Sequence, residues 1–214
     1  MDLNLAGRKA LITGASKGIG LAIAKRLANE GCSVVLVARS EDDLKQAQRA
    51  ILTTDQSVGV DYRVADLSNT SEVNALANEQ ADIDILVNNA GAIPAGNINR
   101  VDEATWREAW DLKLFGYISL CRGIYASMSA RRDESGQRVI LNIIGAGGER
   151  PSSGYLAGAG ANAGLMAITR AMGGVSRKHG IRVLGINPGQ IVTERLETMQ
   201  RVLAEEKFGD AERW

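Results

Sequence analysis

The stretch that decides the fold of this chain is Thr13-Gly14-Ala15-Ser16-Lys17-Gly18-Ile19-Gly20. It follows a short apolar run at 10–12 and precedes a helical pattern with apolar residues at 21, 23, 24 and 27. This order predicts a strand, a tight glycine turn and a helix. An ordinary structural turn would use the same residues, but the flanking strand and helix favour phosphate binding, because glycines let the backbone approach an anion that the helix N-terminus attracts. We therefore predict a dinucleotide site formed by Gly14, Ser16, Lys17, Gly18, Ile19 and Gly20.

Composition limits the classes of protein to which the chain can belong. Its 214 residues are 45% hydrophobic and include only three prolines, which suits one globular domain spanning residues 1–214. The formal net charge is zero, so we expect no nucleic acid and no membrane as a partner, and we expect small molecules and copies of the chain itself. Cys32 and Cys121 lack the spacing of a metal site or a disulfide framework. We therefore expect no metal, and a reducing, cytoplasmic setting.

Short apolar runs alternate with helical patterns along the whole chain. Six runs predict strands at 9–13, 33–38, 59–64, 83–87, 138–144 and 181–186. Their nearly continuous valine, isoleucine and leucine content indicates strands that are covered on both faces. The predicted fold is therefore α/β, a doubly wound parallel sheet of the Rossmann type, with ligands bound beyond the carboxyl ends of the strands.

The residues after the second predicted strand indicate which dinucleotide is bound. A protein that binds NAD(H) places an acidic side chain here, about 20 residues beyond the glycine turn, but this chain has Ala38-Arg39-Ser40. Arg39, with Lys17 nearby, is suited to a 2′-phosphate, which favours NADP(H) over NAD(H). The alternative is that Ser40 caps the following helix and Arg39 is solvated.

Asp66 and Leu67 follow the third predicted strand and come directly before another helical pattern. The Asp66 carboxylate is suited to accept a hydrogen bond from an adenine amino group. An aspartate before a helix is also commonly part of a cap, for which Ser68 or Asn69 would be the capping residue.

Further motifs resemble the short-chain dehydrogenase/reductase family across essentially the whole chain. They are TGASKGIG at 13–20, the Asp-Leu pair at 66–67, NNAG at 88–91, Tyr155, and IRVLGINPG at 181–189 with Thr193. The resemblance implies that Asp66 and Leu67 flank the adenine of the cofactor. It also implies that Asn88, Ala90 and Gly91 line the ribose side, that Tyr155 is catalytic, and that Pro188, Gly189 and Thr193 close over the nicotinamide.

The resemblance also implies features that lie beyond the active site. The segment 190–214, with apolar residues at 196, 199, 202, 203 and 208, resembles the family's substrate lid, although a helix docked on the core would show the same pattern. In the family, the helices that carry the asparagine and the tyrosine pack against their copies in another subunit, which implies a homodimer or homotetramer. A buried contact within the chain would use the same small residues of the helix after Tyr155. Members of the family continue through another helix and a seventh strand, so we expect this chain to be incomplete at its C-terminus.

The chain departs from the family at three catalytic positions. Ala159 stands where the family has a lysine four residues after the tyrosine, and Gly145 stands where it has a substrate-binding serine, for which Ser152 or Ser153 could substitute. Lys113 occupies the position of the family's asparagine on the central helix. Its side chain either reaches toward Tyr155, as a relocated cation, or points to solvent or an ion pair with a nearby acid.

These departures favour carbonyl reduction over alcohol oxidation. A phenol with an ordinary pKa of about 10 is ionised in roughly one molecule in a thousand at pH 7, which suits proton donation and not proton removal. The leading hypothesis is an NADP(H)-dependent reductase of a small carbonyl compound, with Tyr155 as proton donor and Lys113 assisting. The alternative is a catalytically weakened NADP(H)-binding protein that acts as a sensor or oligomeric partner. Isomerase or dehydratase chemistry has no specific residue in its favour.

Overall fold

The structure is a computed structural model, and it describes residues 3–53, 58–131 and 138–214. The strands are β1 (Lys9–Thr13), β2 (Ser33–Ala38), β3 (Val60–Val64), β4 (Ile85–Asn88), β5 (Arg138–Ile143) and β6 (Ile181–Ile186). The α-helices are α1 (Gly18–Asn29), α2 (Glu41–Leu52), α3 (Thr70–Glu79), α4 (Glu103–Trp110), α5 (Gly116–Ala130), α6 (Leu156–Ser176) and α7 (Glu194–Phe208). A π-helical turn, Asp111–Phe115, joins α4 to α5, and the sequence pattern did not predict it.

The strands form one parallel sheet in the order β3-β2-β1-β4-β5-β6. This arrangement confirms the predicted doubly wound sheet. The strand predicted at 83–87 is displaced to Ile85–Asn88, and those predicted at 59–64 and 138–144 are each one residue shorter. The apolar run starts before the strand because a residue can be buried without pairing with a neighbouring strand. Ile83 is fully buried although it lies before β4.

The two faces of the sheet are covered by different helices. On β1, Leu11 packs into a cluster that contains residues of α3 and α5, whereas Ala10 and Ile12 pack into a cluster with residues of α1 and α2. A third cluster joins the end of β5 to the π-helical turn and α6. Burial on both faces explains why these strands have nearly continuous apolar sequences.

The order of the strands reverses between β1 and β4, which are adjacent in the sheet but distant in sequence. A doubly wound sheet has its ligand crevice at this switch point, outside the carboxyl ends of the strands. The glycine turn after β1 and the NNAG loop after β4 meet there.

The last elements are less deeply packed than the centre of the sheet. On the edge strand β6, the side chains of Leu184 and Ile186 are each 49% exposed. On α7, the expected lid, Ala204 is buried, Leu196 and Met199 are half-buried, and Phe208 is exposed. The predicted lid residues Val202 and Leu203 lie outside the described side chains.

The small residues of helix α6 allow other side chains of the same chain to pack closely against it. A Cβ added at Gly160 would lie 3.1 Å from the Trp110 ring, and one at Gly164 would lie 3.7 Å from Leu114. The Trp110 indole also donates a hydrogen bond of 2.9 Å to the Ala157 carbonyl. These contacts account for the small residues without a second subunit, so the expected homodimer or homotetramer stays a prediction. Among the described helices, none has the length and apolar character needed to span a bilayer.

Candidate active site and cofactor cleft

The glycine turn is held by a hydrogen-bonded junction between β1 and β4. The Thr13 hydroxyl accepts hydrogen bonds from the backbone amides of Asn89 and Ala90, at 2.9 and 3.0 Å. The Asn89 side-chain amide donates to the carbonyls of Thr13 and Gly14, at 3.0 and 3.1 Å. Neither Thr13 nor Asn89 is among the predicted site residues, although each lies next to a residue that is.

Gly14 and Gly20 are required by two different constraints. Gly14 has a φ of +61°, which favours glycine, and a Cβ there would lie 2.9 Å from the Ala90 Cα. A Cβ at Gly20 would lie 2.8 Å from the Gly14 carbonyl carbon and nearer still to its oxygen. The turn therefore depends on the absence of side chains at both positions.

The N-terminus of α1 is open to a ligand. Lys17 makes no side-chain cap on α1, whereas Ser40, Asn69, Asp102 and Thr193 cap α2, α3, α4 and α7. Gly18 has a φ of +57°, and the one side-chain atom near its Cβ position is a methyl carbon of Thr193 at 3.7 Å. Uncapped helix amides beside a bare glycine fit a phosphate group. Ser16 and Ile19 lie half-buried in this turn.

The two cations predicted for a 2′-phosphate are both at the surface. The Lys17 ammonium forms an ion pair of 3.5 Å with Glu194, and both side chains are more than 70% exposed. Arg39 is exposed after β2, close enough to Asp66 to influence its pKa. Ser40 caps α2 by accepting a hydrogen bond from the Asp43 amide, as the capping alternative predicted. This cap does not involve the Arg39 side chain, so binding of a 2′-phosphate by Arg39 stays a prediction.

Asp66 forms a local turn ahead of α3. Its Oδ1 accepts hydrogen bonds from the amide and hydroxyl of Ser68, at 3.0 and 2.7 Å, while Asn69 is the helix cap. Partial burial raises the pKa of Asp66, but these hydrogen bonds and the Arg39 charge lower it by more, so the pKa lies below its ordinary value of 3.8. Leu67 is 4% exposed in the core beside α5, so its predicted adenine contact stays a prediction.

Asn88 is fully buried, and its side chain belongs to a polar network within the core. Its amide donates to Asn142 Oδ1 at 2.9 Å and to the Cys121 sulfur at 3.2 Å. Asn142 in turn donates to the Thr169 hydroxyl on α6 at 2.9 Å. The network ties β4, β5 and α6 together, and the predicted contact of Asn88 with a ribose is untested.

Lys113 is buried, so the hypothesis that it points to solvent is wrong. Its side chain is 8% exposed, and its ammonium donates a hydrogen bond of 2.6 Å to the Ile144 carbonyl. The stem crosses Gly91, where a Cβ would lie 2.9 Å from the Lys113 Cδ. The cation is therefore next to Gly145, at the carboxyl end of β5.

Tyr155 lies at the start of α6 with its ring folded over the first helical turn. A Cβ added at Gly158 would lie 2.6 Å from the Tyr155 Cε2 and nearer still to Cε1 and Cζ. On its other side the ring faces Gly147, where a Cβ would lie 3.3 Å from Cδ1. Ala159, which stands where the family has a lysine, is buried, so nothing from that position approaches the phenol with a charge.

The segments on either side of Tyr155 show which other predicted residues reach the site. Ser152 and Ser153 are exposed, and the Ser152 hydroxyl accepts from the Gly154 amide in a local turn. The Pro188 carbonyl accepts a hydrogen bond of 2.9 Å from Ala146, which joins the loop after β6 to the loop after β5. Gly189 is exposed in that loop, and Thr193 caps α7 above Gly18.

Comparisons with known proteins agree with this fold. The model of the family described as short chain dehydrogenase matches residues 8–203. The 3-oxoacyl-acyl-carrier-protein reductase of Vibrio cholerae is 30% identical over 198 residues, which are 92% of this chain and 79% of that protein.

Two solved structures share the architecture. The L-sorbose reductase of Gluconobacter frateurii, in complex with NADPH and L-sorbose, is 32% identical with a TM-score of 0.88, covering 100% of this chain and 81% of that one. An NAD+-bound xylitol dehydrogenase has a TM-score of 0.88 at 21% identity, covers 98% of this chain and 82% of that one, and shows the fold alone.

Proposed function

Since the chain belongs to the short-chain dehydrogenase family of oxidoreductases, we propose that it reduces a carbonyl group of a small molecule with NADPH, using Tyr155 as the proton donor. The proposal is supported by the loops that these residues contact: Lys113 donates to the Ile144 carbonyl and crosses Gly91, and Tyr155 faces Gly147. The reduced nicotinamide would supply the hydride, and the chain's residues would orient the substrate and move the proton.

The phenol of Tyr155 is suited to donation in this setting. Among the described residues it makes no hydrogen bond that would commit its proton elsewhere. A proton given by the phenol to the oxygen of the carbonyl stabilises the charge that develops there.

Lys113 supplies the positive charge that the family's lysine would otherwise supply. A buried lysine is rare without a partner or a purpose, and this one is held on the Ile144 carbonyl beside the site. Its charge would stabilise the oxygen anion of the developing alkoxide and of Tyr155 after proton transfer. We expect this effect to be electrostatic and not to require a direct contact.

The preference for NADP(H) is proposed from Arg39 and from the absence of an acid after β2. The L-sorbose reductase with 32% identity is bound to NADPH, which supports the same choice. We expect Arg39→Asp to weaken NADPH binding by about 10- to 100-fold, as for loss of a hydrogen bond between charged groups, and to leave NADH binding less affected. Dissociation constants for both cofactors test this. Equal losses for the two would contradict it.

The activity is tested by following NADPH consumption with a panel that contains L-sorbose, a 3-oxoacyl thioester and simple aliphatic and aromatic ketones. We expect wild type to reduce at least one compound and Tyr155→Phe to lose about 10²- to 10⁴-fold in kcat. Tyr125→Phe is the matched control and should be unchanged, because the Tyr125 ring packs edge-on against His179 beyond the C-terminus of α6, whereas Tyr155 lies at the N-terminus of that helix. NADPH binding without turnover of any compound would favour the sensor hypothesis.

A further inference from the structure

Asn162 is a buried polar residue that has no hydrogen-bond partner among residues 3–53, 58–131 and 138–214. It lies on α6, is 2% exposed, and its Oδ1 has no hydrogen bond within the described structure. The Asn88 Oδ1 is also unpartnered, but the amide nitrogens of Asn88 and Asn142 each donate to a buried acceptor, whereas no hydrogen bond of the Asn162 side chain is found within the described residues. A buried amide that makes no hydrogen bond destabilises a fold, so its presence calls for a function.

The Asn162 amide is directed toward the bare glycines after β5. A Cβ added at Gly145 would lie 3.0 Å from its Nδ2, and one at Gly147 would lie 3.6 Å from the same atom. The Gly147 position is also 3.3 Å from the Tyr155 ring. The Asn162 amide nitrogen and the ring of the proposed proton donor therefore both lie within 3.6 Å of the Gly147 Cβ position.

The backbone at Gly145 explains why a side chain from the helix is needed there. Its φ of +135° is a conformation that residues with a side chain rarely adopt, so a serine at this position would be strained. A side-chain amide has both donor and acceptor groups and can hydrogen-bond to a carbonyl or a hydroxyl oxygen.

We propose that the Asn162 amide hydrogen-bonds to the oxygen of the substrate's reacting group where this amide and the Tyr155 ring both pack against the glycines of the loop after β5. This inference rests on the proposed reductase function. It assigns to α6 the substrate-binding contact that the loop after β5 has lost, and it predicts that substrates carry their carbonyl oxygen between the amide and the phenol.

The test compares Asn162→Leu with Thr169→Val, which removes a second buried polar group from the same helix. We expect Asn162→Leu to lower kcat/KM by about 10²-fold on the compounds that wild type reduces, as for the loss of one donor to a developing oxyanion. Its affinity for NADPH should be unchanged, and its melting temperature should be equal or higher, since an unpaired polar group is removed. Thr169→Val should show the opposite result, with a lower melting temperature and unchanged kcat/KM, because Thr169 accepts from Asn142 in the core.

A second readout does not depend on turnover. In the complex with NADP⁺, which cannot deliver a hydride, addition of a reducible ketone should shift the side-chain amide NMR signals of Asn162, identified by their loss in Asn162→Leu.

Equal kcat/KM for wild type and Asn162→Leu, or unshifted amide signals at saturating ketone, would overturn the inference while the reductase function stands. Absence of turnover by wild type refutes the function itself, and the inference with it.

Discussion

The contact between Tyr155 and Gly158 predicts a substitution that lowers activity while leaving the free energy of unfolding nearly unchanged. The change is Gly158→Ala, which places a methyl group where the phenol ring now lies. A Cβ would be 2.6 Å or less from three ring atoms, whereas carbon atoms in contact are about 3.5 Å apart. The ring must therefore move by about 1 Å or more.

The expected change in the free energy of unfolding is small. Replacing a helical glycine with alanine contributes about 0.5–1 kcal/mol of stability, and a displaced ring held off its preferred rotamer costs about 0.5–1.5 kcal/mol. The ring is a side chain that can yield toward the crevice, so the two effects nearly cancel. Activity should fall by about 10²-fold, because a displacement of 1 Å in a catalytic group is enough to cause such a loss.

The assays are thermal unfolding and the rate of NADPH consumption on a compound that wild type reduces. Gly174→Ala is the matched control, since it lies on the same helix with no atom within 4 Å of its Cβ position. It should gain about 0.5–1 kcal/mol in stability and keep full activity. Full activity in Gly158→Ala would refute the reasoning that the position of the Tyr155 ring matters for catalysis. A decrease in the free energy of unfolding of more than about 3 kcal/mol would refute the reasoning that the ring can move toward the crevice.

Three further predictions concern the glycine turn, acid stability and the thiols. Gly20→Ala should lower the free energy of unfolding by about 1–3 kcal/mol and weaken NADPH binding, measured by denaturation and titration, because its Cβ meets the backbone of Gly14. The pKa of Asp66 is lower in the folded chain than its ordinary value of 3.8, so the ionised carboxylate stabilises the fold above pH 3.8, and this stabilisation is lost as the pH falls below that value. In a plot of the free energy of unfolding against pH, Asp66→Asn should therefore show a smaller decrease on the acid side than wild type. Burial raises the pKa of Cys32 to about 11 and that of Cys121 to about 12. At pH 8 the native protein should therefore resist alkylation, whereas the denatured protein should be labelled at both thiols. Labelling of the native protein as fast as that of the denatured protein would contradict this.

Much of the fold follows from local patterns. The runs at 9–13, 33–38 and 181–186 became strands with the predicted bounds, because continuous apolar character and turn signals are properties of neighbouring residues. The helical pattern with apolar residues at 21, 23, 24 and 27 likewise lies within α1. The π-helical turn that carries Lys113 was not predictable, since an inserted residue in a helix has no distinct sequence pattern.

The sequence by itself determined the doubly wound sheet, the glycine turn after β1 and the absence of the family's lysine and serine, because each depends on residue types at short spacing. Only the tertiary structure decided that Lys113 is buried on the Ile144 carbonyl, since its position depends on the contact of its stem with Gly91 from a distant strand end. It also brought the unpartnered Asn162 amide beside Gly145, although the two residues are on different elements. Such contacts are set by how helices pack on the sheet, and the identity of neighbouring residues does not encode them.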